Sequence, residues 1–242
     1  MKNLRIAILI LFFFNSCRHE KKITPEVYFS GDSAEIIISN SKDQIYKGLF
    51  VVGKNILSFR DCNRPEKDLA VIDSTGKMKE LYKTLFLHSP AFPYEYVYVE
   101  LKGEVKEATD FAPARIVDSV IVVSDVLDFE QKNYQNACIP YDFWALGKNW
   151  SLQISRKEGI IAMKDFSAMR VYVFEYFIPK MIGDKVFNYT SNNYATQSAI
   201  KVLIKHESCM MDSSNHQFNY SATVIVDGKR YSGCAIKGTS TE

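Results

Sequence analysis

Between Ile45 and Tyr231 the chain is built from short runs of β-branched, aromatic and aliphatic residues, several of which alternate with polar ones at every second position. A period of two puts successive side chains on opposite faces of an extended backbone, so such runs demand a sheet with one buried face. The strongest is Tyr94 to Val105, with Tyr96, Tyr98 and Glu100 on one face and Val97, Val99 and Leu101 on the other. Ile45–Val52, Asn55–Phe59, Leu69–Asp73 and Val117–Val123 read as further strands, as do Trp150–Ser155, Gly159–Met163, Val171–Phe177, Ile200–His206 and Phe218–Val226. Asp227-Gly228 is a hairpin turn between the last of these and Tyr231. The best helical pattern is Lys77 to His88, where Met78, Leu81, Tyr82 and Leu85 recur at helical spacing and Pro90 and Pro93 end it. The fold expected is mainly β, and the strand pattern divides near Cys138.

The N-terminus points out of the cytoplasm. Lys2 and Arg5 precede an apolar run from Ile6 to Phe14, nine residues, whereas a membrane span needs about 20. A basic start, a short apolar stretch and small residues after it make an export signal. The stretch ends Phe14-Asn15-Ser16-Cys17, which resembles a bacterial lipobox with Phe where Leu is usual. The resemblance implies cleavage after Ser16, diacylation of Cys17 and acylation of the new amino terminus. Three acyl chains, at about 0.8 kcal/mol per buried CH₂, make a lasting anchor. Arg18 stands where an inner-membrane retention signal carries Asp, so the resemblance favours the outer membrane. Removing residues 1–16 takes away Lys2 and Arg5 but no acid, so the formal charge falls from +2 to zero. No field for nucleic acid is left.

With Cys17 lipidated, Cys62, Cys138, Cys209 and Cys234 remain. An even number in an exported chain suggests disulfides, with three possible connectivities. Sequential pairing, Cys62–Cys138 and Cys209–Cys234, is preferred because it gives each half its own staple. Each closure contributes about 3–4.5 kcal/mol in the chain-entropy model.

The segments Tyr46-Lys-Gly-Leu-Phe50, Phe59-Arg-Asp-Cys62, Leu69-Ala-Val-Ile72, Leu81-Tyr82 and Val97-Tyr-Val-Glu-Leu-Lys-Gly103, followed by Cys138, resemble the C-terminal OB-type domain of NlpE-like envelope lipoproteins. This resemblance implies a five-stranded OB-like barrel with one helix over residues 45–138, closed by a Cys62–Cys138 bridge, and a role in surface or envelope-stress sensing. The C-x-x-C of that family's N-terminal domain has no counterpart here. Phe143-Trp144, Trp150-Ser-Leu-Gln-Ile154, Cys209-Met-Met-Asp212, Phe218-Asn-Tyr220 and Gly233-Cys234 resemble a family of small envelope β domains. That likeness implies a second antiparallel β-barrel or sandwich over 139–242 and a Cys209–Cys234 bridge tying a loop to the last hairpin. Residues 1–16 are then the signal and 17–44 the tether and lead-in.

Two clusters could carry ligands. His206, Met210, Met211 and His216 surround Cys209 with soft sulfur and imidazole donors of the kind that suits copper; copper binding in the envelope is the alternative function. Tyr94, Tyr96 and Tyr98, at spacing two, share a strand face and with Phe92 could form an aromatic platform of the kind OB folds use for oligosaccharides or single strands. Asp61, Asp73, Glu95, Glu100 and Glu104 are spread over different strands and pair for no acid/base work; Asp61 serves its own turn. G-x-S-x-G, H-E-x-x-H, the Walker loop and the Rossmann glycines are all missing. The expectation is therefore a non-enzymatic outer-membrane lipoprotein without a cofactor. It would be held to the membrane by its N-terminal lipid and would bind a protein or saccharide, not nucleic acid.

Overall fold

The computed structural model describes residues 44–53, 57–87, 92–108, 118–211 and 216–238. The export signal, Cys17 and the tether fall on residues 1–43, outside the described residues. The architecture is mainly β: a five-stranded closed barrel with one helix, then a nine-stranded antiparallel half-barrel.

The barrel is formed by β1 (Gln44–Val52), β2 (Leu57–Asp61), β3 (Asp68–Ile72), β4 (Val97–Glu107) and β5 (Ser119–Gln131), in the order β1-β2-β3-β5-β4. β3 and β5 run parallel and every other pair is antiparallel. With helix α1 (Lys77–Leu85) inserted between β3 and β4, this is an OB-like barrel. The alternation read from the sequence sets the burial: Val97, Val99 and Leu101 are fully buried with Phe50, Phe59 and Ile121. Gly103 sits at a register shift, where an added Cβ would lie 2.4 Å from the Val122 carbonyl oxygen. The helix starts because Asp73 accepts from the Met78 N–H at 2.8 Å and the Thr75 N–H at 3.0 Å, supplying partners that Gly76 at the cap cannot. Met78 is buried in the barrel core. The helix ends at Leu85, short of His88, where the Phe86 N–H turns to the Lys83 carbonyl.

The second sheet contains β6 (Phe143–Gly147), β7 (Trp150–Ser155), β8 (Ile160–Asp165), β9 (Arg170–Glu175), β10 (Lys180–Ile182), β11 (Val186–Asn193), β12 (Ser198–Met210), β13 (Gln217–Val226) and β14 (Lys229–Lys237). Its order is β10-β11-β12-β13-β14-β6-β7-β8-β9. Two meanders are thus joined where the last strand, β14, pairs with β6. The Asp227-Gly228 turn is as read, with φ of 49° and 82°. The end strands follow one another in the chain through residues 176–179, so the sheet curls back on itself. Asn193 of β11 donates to the Val173 carbonyl of β9 at 2.8 Å, and the Tyr176 and Tyr189 rings lie 6.1 Å apart. The inner face is filled by Phe143, Trp150, Leu152, Ile161, Phe174, Val202, Val224 and their neighbours.

Both disulfides pair sequentially. Cys62, just after β2, bonds Cys138 in the connector between β5 and β6. Cys209 bonds Cys234, linking β12 to β14 across β13. Cys209 lies within a strand, just after a register shift that follows His206, and not in a loop as the family likeness implies. Two closed disulfides place the folded chain in an oxidising, extracytoplasmic compartment.

Candidate functional site

The barrel and the second sheet belong to one compact unit, and a cluster of charged side chains lies where they meet. Lys132, just after β5, donates to the Gln153 amide oxygen at 3.1 Å, and Gln153 donates to Glu158 at 2.7 Å. The Lys132 ammonium also lies 6.0 Å from the centre of the Trp144 ring. Burial lowers the Lys132 pKa, with Glu158 opposing that shift. Beside it Lys164 of β8 pairs with Glu95, which precedes β4, and lies over Phe92; Phe92 meets Phe166 at 5.8 Å. On the barrel side Arg60 binds Asp68 through two bonds, at 2.9 and 3.2 Å, and lies 5.7 Å from the Tyr96 ring centre. Arg60 is raised above its usual value chiefly by the Asp68 bond. Cations and carboxylates are balanced and each is bonded, so the cluster locks barrel to sheet rather than presenting a reactive group. None of it was visible in the sequence, because its members come from positions 60 to 164 with no local spacing.

The tyrosine platform is not a strand stripe. β4 begins at Val97. Tyr94 sits in a turn at φ 59° and is 63% exposed. The turn runs from Phe92 to Glu95, with Pro93 at its second position and a Glu95 N–H to Phe92 carbonyl bond of 3.2 Å. A positive φ at the third position makes it a type II turn carrying Tyr where Gly is usual. Tyr96 is half-buried at the junction under Arg60, and burial raises its pKa. Only Tyr98 lies on the strand. It donates to Glu100 at 2.9 Å and is pushed up to about 12, first by burial and then by that bond.

The copper candidates are separated in role. Cys209 is oxidised. His206 is exposed and stacks on Tyr220 at 4.9 Å, while His216 packs edge-on against Phe218 at 4.8 Å. Met210 is 65% exposed, and Met211 follows the end of β12. Among the described residues no group of three or more His, Cys, Asp or Glu side chains is arranged to hold a metal ion. Asp61 does serve its turn, accepting from the Asn63 N–H at 2.9 Å.

One surface feature escaped the sequence reading. Of thirteen large hydrophobic residues exposed among the described residues, seven fall between Met169 and Ile182: Met169, Val171, Val173, Phe177, Ile178, Met181 and Ile182. The signal was the unbroken run Phe177-Ile178-Pro179 beside Met181-Ile182, which has no alternation and therefore no buried face.

Compared with protein-family models, with curated proteins and with solved structures, the chain gives no match in any of the three.

Proposed function

We propose that the chain is a non-enzymatic, lipid-anchored envelope protein acting as a binding or sensing module at the outer membrane, in envelope-stress sensing. The observation that carries this reading is the position of the Cys62–Cys138 bridge. It joins the end of β2 to the connector that leads into the second sheet, 76 residues apart in sequence. Ala137 and Tyr141 of that connector pack on Trp144 of β6, and Lys132 at its start enters the junction network. Loss of the bridge releases a closure of about 4 kcal/mol in the chain-entropy model at the place where barrel and sheet are held together. A failure of oxidation is thereby converted into a change of surface. Tyr94, exposed in the turn that leads into β4, is the barrel aromatic this reading offers a protein or saccharide ligand. A rigid, stapled scaffold suits binding because little ordering entropy is lost on contact.

The test is a double Cys62→Ser, Cys138→Ser variant in cells carrying an envelope-stress reporter. The variant should change the reporter output far more than exposed substitutions such as Lys201→Gln at equal protein levels. Equal effects remove the sensing role.

A further inference from the structure

We infer that the β10–β11 hairpin and the segment leading into it form a second membrane contact, an apolar tip that enters the surface of an anionic bilayer. β10 is the sheet's end strand, and all three of its residues, Lys180, Met181 and Ile182, are exposed. Met181 and Ile182 are neighbours on a strand, so they point to opposite faces, yet they are 48% and 55% exposed. Phe177 and Ile178, just before them, are 50% and 81% exposed. A protein partner covers one face of such an element; a bilayer surrounds whatever enters it. Four large apolar side chains within six residues exceed the scatter of single exposed hydrophobics normal on a soluble surface.

The charges around the tip fit an anionic bilayer. Lys180 opens β10, Lys185 sits in the hairpin turn, and Lys205 of β12 lies opposite Val186 in the ladder. All three are exposed, and none is in an ion pair among the described residues. Asp184 in the turn, Glu175 at the end of β9 and Glu207, two residues after Lys205 and bonded by the Ser221 hydroxyl, are the nearest opposing charges in sequence. Lysines beside an apolar tip can reach headgroup phosphates while the tip enters the interface, and each contributes about fivefold in affinity for an acidic membrane.

Tryptophan placed at the tip reads this directly, and independently of lipidation at Cys17. Trp144 and Trp150 are 8% and 4% exposed, so they give a buried background. The acylated full chain is reconstituted on phosphatidylglycerol vesicles carrying brominated acyl chains, with Ile178→Trp in one sample and Tyr194→Trp in another. Tyr194 follows β11 at the end away from the hairpin turn, six residues beyond Asn188, the ladder partner of Lys180, or about 20 Å along the strand. The added emission of Ile178→Trp should shift blue and be largely quenched, while that of Tyr194→Trp is unchanged. In the Cys17→Ser chain, which has no acyl anchor, Ile178→Asp with Met181→Asp should lower vesicle association about tenfold or more. Equal quenching at both positions, no quenching at Ile178→Trp, or vesicle association indifferent to the Asp pair would overturn the inference. So would a blue shift that needs no lipid and grows with protein concentration, since that marks a second copy of the chain as the occupant. Failure of acylation at Cys17 would leave the Cys17→Ser comparison standing.

Discussion

In an Asp165→Asn variant the second sheet loses the one buried carboxylate that ties β8 to β14. Asp165 is 1% exposed. Its Oδ1 accepts from the Ser167 and Ala168 N–H groups at 3.0 and 3.1 Å, closing the turn after β8. Its Oδ2 accepts from Lys229 Nζ at 2.8 Å and from the Tyr231 hydroxyl at 2.7 Å. Asparagine can keep the turn but places an NH₂ donor against two donors. A hydrogen bond to a charged group contributes about 1.5–3 kcal/mol, and the Lys229 bond falls at the low end because its ammonium is in solvent. The expected loss is about 2–4 kcal/mol. At roughly 2–4 °C per kcal/mol for a chain of this size, Tm should fall by about 4–16 °C.

The pH dependence is a second handle on the same residue. Burial pushes the Asp165 carboxyl up, but the Lys229 and Tyr231 bonds outweigh it and hold it at about 2, against about 3.9 in the unfolded chain. A depressed carboxylate stabilises fully above its unfolded value, and that stability is lost as pH falls towards the folded value. The gap between wild type and variant should therefore be constant near neutrality and shrink between about pH 4 and pH 2. Urea unfolding of the oxidised protein, followed by near-ultraviolet circular dichroism, measures both. A loss below about 1 kcal/mol at neutral pH, or a gap that does not narrow in acid, would show that the Asp165 carboxylate does not hold β8 to β14.

Gly233→Ala should be among the most damaging single-carbon changes, because its Cβ would lie 2.0 Å from the Leu146 carbonyl oxygen where β14 meets β6. The expected cost is about 2–4 kcal/mol or failure to accumulate; a loss below about 1 kcal/mol in urea unfolding would show that this pairing yields. Lys132→Met should change stability by less than about 1 kcal/mol at neutral pH, since an ammonium desolvated at the junction offsets its own bonds. Because the Lys132 folded pKa is lowered, wild-type stability should rise with pH up to the unfolded value of about 10.4, and the variant should lose that rise; a parallel pH profile would contradict it. Cuprous ion titrated into the oxidised protein should find no stoichiometric site, because Cys209 is in a disulfide; saturable binding lost in a His206→Ala, Met210→Ala variant would revive the copper alternative.

What the sequence made legible was whatever depends on local period and turn chemistry. The alternation of Val97, Val99 and Leu101 specified the buried face of β4, and Asp227-Gly228 specified the last hairpin. What escaped depends on partners far away in the chain. β5 runs on to Gln131 because β4 pairs it there, at Val97, although residues after Val123 show weak alternation. The tyrosine stripe failed at Tyr94 because Pro93 sets a turn, and spacing alone does not distinguish a turn from a strand entry. The junction of Arg60, Glu95, Lys132, Glu158 and Lys164 has no sequence signature, since the topology alone gathers it. The exposed run Phe177 to Ile182 was readable as a break in alternation but resembled ordinary core.

The proposed role requires export of the chain and its anchoring at Cys17. Mass spectrometry of the protein isolated from its native host measures both the amino terminus and the thiols. The chain should start at an acylated Cys17, with Cys62, Cys138, Cys209 and Cys234 all oxidised. An unprocessed terminus at Met1 with four free thiols would contradict that role.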